Sequence, residues 1–66
     1  MNIILNGEKK LVDEGTSVLE LVKSLNLKLG AVVVQQNEEI LLRENFDNIH
    51  LVEGDVIEVV RFVGGG

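Results

Sequence analysis

Hydrophobic positions recur along this chain with two periods, and the change from one to the other marks out its elements. Residues 1–5 are apolar and rich in isoleucine, which predicts a strand. Asn6-Gly7 follows. Both residue types accept positive φ, so the pair predicts a two-residue hairpin with a return strand over 9–12. Asp13-Glu14-Gly15 breaks that strand. In Ser17-Val18-Leu19-Glu20 the Ser17 hydroxyl can accept from the N–H of Glu20, while Glu20 reaches back to the N–H of Ser17. This capping box opens a helix whose apolar face is Val18, Leu21, Val22 and Leu25, spaced at the helical period. Asn26 or Gly30 can end it. Residues 31–36 hold three consecutive valines and suit a buried strand. Asn37-Glu38 is a weaker turn, with a short strand expected over 39–42. Residues 43–52 are mixed and predict a loop with a short helical turn. Glu53-Gly54-Asp55 is a further turn, and 56–62 predicts the last strand.

The order strand, strand, helix, strand, strand, strand predicts an α+β fold: a mixed sheet with one main helix packed on one face. Val18, Leu21, Val22 and Leu25 are expected to face Met1, Ile3, Leu5, Ile57 and Val59 across the core. Successive side chains of a strand point to opposite faces. Ile57 and Val59 therefore leave Val60 and Phe62 on the other side, with Ile4 on the neighbouring first strand. These three are expected to form an exposed apolar patch for partners, or else to pack under a loop.

The chain's 66 residues predict a single domain. A domain of this size buries only about 60% of the surface its unfolded chain exposes, which leaves little room for a deep substrate pocket beside the core. A hydrophobic fraction of 45% favours a globular fold over disorder. There is no cysteine, so neither a disulfide nor a zinc knuckle staples it. No apolar run approaches the roughly 20 residues that span a bilayer, so no membrane association and a cytoplasmic location are expected. The net charge is −5. Residues 1–35 carry four acids and four bases, whereas residues 36–66 carry seven acids and two bases. An acidic surface repels phosphate backbones, which argues against nucleic acid, and it steers a protein toward a basic partner. Plain solubility explains the same charge.

Catalytic parts are scarce. Nucleophilic catalysis needs a Ser, Thr or Cys beside a base. His50, in the irregular segment, reads as a surface or structural residue. Thr16, Ser17 and Ser24 are accounted for by the helix start and its exposed face. Asp13-Glu14 and Glu38-Glu39 are adjacent pairs at turns, whose side chains diverge on an extended chain. No phosphate-binding glycine pattern is present, so an enzyme is disfavoured. What remains is the end of the chain, Gly64-Gly65-Gly66, directly after the last apolar strand. Glycines without Cβ form a thin arm that can enter a narrow channel at any backbone angle. A free α-carboxyl titrates near about 3.5 and is an ionised oxygen nucleophile at neutral pH. It could attack an activated phosphate held by another protein. A frayed end reads the same glycines as incidental.

These residues together resemble the ubiquitin-like sulfur carrier proteins, most closely those of thiamin (thiazole) biosynthesis. The resemblance spans the chain. It runs from Asn6-Gly7 through Gly15-Thr16-Ser17-Val18-Leu19-Glu20-Leu21, Asn37, Ile40 and Arg43 to the segment Glu53-Gly54-Asp55-Val56-Ile57-Glu58-Val59-Val60-Arg61-Phe62-Val63-Gly64-Gly65-Gly66. There are departures: Leu42 stands where the family often has Pro, Phe46 near a common Trp, and Glu38 where Gly is frequent. The resemblance implies a β-grasp domain over 1–63 with a flexible glycine tail at 64–66. It also implies a cycle. An E1-like adenylating enzyme joins AMP from ATP to the Gly66 carboxylate, and sulfur from a persulfide donor replaces AMP to give a thiocarboxylate. Thiazole synthase then accepts the sulfur. Gly64 and Gly65 would thread the partner's active site, and Ile4, Val60 and Phe62 would bind its surface. No bound cofactor is implied, since ATP is used by the partner; the chain itself is a co-substrate and not a catalyst. The same terminal chemistry serves the small subunit of molybdopterin synthase and ubiquitin-like protein modifiers.

Overall fold

The computed structural model describes residues 1–62; the expected glycine tail at 64–66 lies outside the described residues. Its strands are β1 (Asn2–Leu5), β2 (Glu8–Leu11), β3 (Val32–Gln36), β4 (Glu39–Ile40) and β5 (Val56–Arg61). The helix α1 (Val18–Ser24) lies between β2 and β3, and Leu29–Ala31 and Arg43–Asn45 form short 3-10 turns. The sheet order is β2-β1-β5-β3-β4. The central pair, β1 and β5, is parallel, and every other pair is antiparallel. This mixed sheet, with α1 crossing one face, is the β-grasp arrangement.

Local chemistry explains where the elements turn. Asn6 and Gly7 both have positive φ, 50° and 82°, as the two-residue hairpin demands. The capping box forms: Glu20 N donates to Ser17 Oγ at 3.1 Å, and Ser17 N donates to Glu20 Oε1 at 3.0 Å. The Ser17 backbone N–H, with the Ser17 hydroxyl beside it, holds the Glu20 carboxyl below its ordinary range. The helix is shorter than its apolar periodicity. Leu25 is already its C-cap and only partly buried, because Asn26 takes the left-handed φ of 59° that stops the helix. Gly30 plays no part in that stop and lies inside the Leu29–Ala31 turn.

The core is Ile3, Val18, Leu21, Val22, Val32, Val34, Phe46, Leu51, Ile57 and Val59. Met1, Leu5 and Leu25, expected among the facing layer, pack at its margin. Phe46 is fully buried inside the segment read as a loop. The chain after Arg43–Asn45 folds back under the sheet, where Phe46 O accepts from Leu19 N at 3.0 Å. The expected strand over 39–42 shrinks to two residues for the same reason, since the chain must leave the sheet edge to deliver Phe46.

Candidate functional site

The strand β5 positions Val60 and leads into Phe62, two of the residues that the sequence singled out; Ile4 lies on β1, and Gly64, Gly65 and Gly66 lie outside the described residues. The residues of β5 alternate between exposed and buried from Val56 to Val59. Ile57 and Val59 face α1, while Val56, Glu58 and Val60 lie on the uncovered face, and Phe62 follows in the same phase. Val60 is 57% exposed and Phe62 56%. Val60 is the register partner of Val33, which is half-buried. Ile4 is half-buried and on the same face, but its register partner is Val56. Glu58 therefore stands between Ile4–Val56 and Val60–Phe62, and the three residues expected together fall into two apolar areas divided by a carboxylate.

β5 is fastened at its start and again at Val59 by asparagine side chains from hairpin turns. At its start, Val56 N donates to Asn37 Oδ1 at 2.9 Å, and Asn37 N donates to the Val56 carbonyl at 2.8 Å. Further along, Val59 N donates to Asn6 Oδ1 at 2.8 Å, at the level where β1 has ended. Phe62 N donates to the Ala31 carbonyl at 2.7 Å, so the last described residue is still tied to β3's side of the sheet. The point from which the terminal segment departs is thus fixed.

Asp55, the last residue of the Glu53-Gly54-Asp55 turn before β5, carries a second fastening. It is 3% exposed. Its carboxylate accepts from Gln36 Nε2 at 3.0 Å, Asn37 Nδ2 at 3.0 Å and Val52 N at 2.9 Å. Burial acts to raise the carboxyl's pKa, but the three donors outweigh it and hold the group below its ordinary value of 3.8. Among the described residues, no buried side-chain polar atom lacks a partner.

The other candidates prove structural. His50 is exposed and forms a single antiparallel bridge with Ser17. In the hollow between β2 and α1, Thr16 Oγ1 donates to the Asp13 carbonyl at 2.7 Å and Glu20 belongs to the capping box. Among the described residues, no group of three or more His, Cys, Asp or Glu is placed to hold a metal. No helix of the described residues is long and apolar enough to cross a membrane. Two family departures acquire a physical sense. Glu38 has φ 74°, a conformation that favours glycine, and Phe46 fills the core.

Comparison with known proteins agrees with this architecture. A model of the ThiS family matches residues 3–66. The sulfur carrier protein ThiS of Bacillus subtilis (strain 168) is 42% identical over 64 residues, covering 94% of this chain and 96% of that one. A thiazole synthase of Magnetococcus marinus is 38% identical over 66 residues, and the chain spans 20% of its length. The crystal structure of the thiamine biosynthesis protein ThiS from Geobacter metallireducens superimposes with a TM-score of 0.84 at 39% identity, over 100% of both chains. The chain belongs to the ThiS family.

Proposed function

We propose that this protein is a cytoplasmic sulfur carrier of thiamin biosynthesis, and that Gly66 is the residue that carries the sulfur. The observation that supports this most directly is the extent of the family match, which runs through Gly64, Gly65 and Gly66 to the last residue. In this reading the Gly66 carboxylate oxygen attacks the α-phosphorus of ATP bound to an E1-like adenylating enzyme, and pyrophosphate leaves. The terminal sulfur of a cysteine persulfide then attacks the acyl carbon and AMP departs, leaving an acyl disulfide. A second thiol attacks the sulfur of the donor cysteine, a disulfide forms there, and the carrier is released with a terminal thiocarboxylate. Thiazole synthase is the acceptor. A protein of that name contains a stretch similar to this whole chain, as expected of two partners whose encounter is made intramolecular by fusion. The carrier is a co-substrate: its body supplies binding and its end supplies the reacting group.

Ordering an arm costs about 1–2 kcal/mol per residue, so contacts made by the folded body must offset it. Val60 and Phe62, exposed beside the root of the arm, supply apolar area for that purpose, with Ile4 and Val56 a separate area beyond Glu58. The experiment is the intact mass of the protein after incubation with ATP, the adenylating enzyme and a persulfide donor. The expected product carries one sulfur in place of one oxygen. Conjugates through Gly66 to lysines would identify a modifier instead. Sulfur transfer to a molybdopterin precursor, without thiazole formation, would assign the other pathway.

A further inference from the structure

The charges of this acidic chain separate along β5. At the start of the strand stand Glu53 and Asp55, with Glu38 and Glu39 beside them, since Asn37 pairs with Val56 and Gln36 with both Ile57 and Glu39. Four of the seven acids of residues 36–66 therefore stand at the start of the strand, away from Phe62. At the other end of β5, Arg61 and Phe62 form one wall of a crevice of about 300 Å³ whose opposite wall is Asn26, Leu27, Lys28 and Ala31. No carboxylate lines it among the described residues. Arg43 joins the same end: its Nη1 lies 3.2 Å from where a Gly30 Cβ would stand, one residue before Ala31. Lys28, Arg43 and Arg61 are all exposed. Half of the chain's six bases thus meet where the arm departs, with Glu44 the acid next to Arg43 in sequence.

We propose that Lys28, Arg43 and Arg61 form a cationic collar that docks onto carboxylates around the mouth of the channel that receives the arm. This rests on the carrier reading above. The collar meets protein carboxylates and not the reacting phosphate because of chain length. Four residues separate Phe62 from the terminal carboxylate, up to about 14 Å when extended, so a nucleotide at the tip lies beyond the arginine at the root. The apolar lining of the crevice, Leu27, Ala31 and Phe62, lowers the local dielectric and strengthens a charge pair seated there. With net charge −5 and Lys28, Arg43 and Arg61 at this end, an acidic mouth attracts the collar and favours the arm-first approach.

The test is the association rate with the adenylating enzyme, measured by stopped flow across a salt series. Thermal melts should confirm that the surface variants remain folded. The double reversal K28E/R61E should slow association about tenfold at low salt, with the gap closing as salt rises. The neutral pair K28A/R61A should fall between it and the native chain. E38Q/E39Q, at the far end of β5, should change the rate by less than about twofold. A K28E/R61E rate within twofold of native overturns the collar while leaving sulfur loading intact. Saturable shifts of Lys28, Arg43 and Arg61 resonances on adding free ATP reassign these cations to phosphate and also overturn it. A native chain that acquires no AMP overturns the carrier reading, and the collar with it.

Discussion

The two ends of β5 are built on opposite plans. Its start is closed: the buried Asp55 carboxylate accepts three hydrogen bonds, and Asn37 completes the backbone of Val56. Its far end is open: Val60, Arg61 and Phe62 are exposed, held through the backbone by pairing with β3 and by the Phe62–Ala31 hydrogen bond. One strand therefore joins a closed, hydrogen-bonded end to an open, exposed one. A small domain has little stability to spare, so fixing the root of an arm without burying its contact residues places the fastening in turns and polar networks. Substitutions at the closed end should act on folding, and those at the open end on encounter and reaction.

The largest effect on folding should come from the core beneath both ends. Leu21→Ala removes a fully buried side chain against the sheet and should cost about 2–5 kcal/mol, most of the stability of so small a domain. A denaturant midpoint unchanged by it would contradict the packing of α1 on β1 and β5.

Next comes the closed end. Asp55→Ala leaves Gln36, Asn37 and Val52 N without their acceptor and should cost about 1–3 kcal/mol. The pH dependence carries a sign. Because the folded carboxyl titrates below its ordinary 3.8, its contribution is complete above that value and is lost as pH falls through the lower folded one. Native stability should therefore drop on acidification through this window, and Asp55→Asn should show a shallower drop. Equal acid profiles in urea melts would mean that Asp55 is not the charge that matters.

A smaller effect of opposite sign is expected at Glu38, which holds φ 74° on an exposed turn. Glu38→Gly relieves a left-handed backbone and should raise stability by about 1 kcal/mol, seen as a melting temperature higher by about 4–8 °C. The smallest effect on folding should come from the open end. Phe62→Asp should move stability by no more than about 0.5 kcal/mol, yet weaken binding to the adenylating enzyme. A variant that melts early would show that Phe62 is a packing residue and not a contact.

The same contrast explains what could be read from the sequence. Local chemistry was legible: Asn6-Gly7, the Ser17–Glu20 box, the alternation of β5 and the helical face of α1 each act within a few residues. Contacts between distant residues were not. Asp55 looks like any turn acid, because its partners Gln36 and Asn37 lie 19 and 18 residues away. Phe46 sits between Glu44-Asn45 and Asp47-Asn48, where no period marks it as core. Leu25 continues an apolar face that Asn26 cuts short. Ile4 shares a sheet face with Val60, but no local pattern gives the register, and the parallel pairing puts it opposite Val56.

The central claim is that the free carboxylate of Gly66 is the reacting group, and adding one residue after it tests this most directly. The extension places the Gly66 carbonyl in a peptide bond and moves the carboxylate about 3.3 Å along the arm. A misplacement of about 1 Å can already cost roughly 10²-fold in rate. The measurement is the intact mass of native and extended chains after incubation with ATP, the adenylating enzyme and a persulfide donor. The native chain should exchange one oxygen for sulfur, and the extended chain should fold alike yet gain neither AMP nor sulfur. An extended chain that acquires sulfur as fast as the native one would show that Gly66 is not the carrier site.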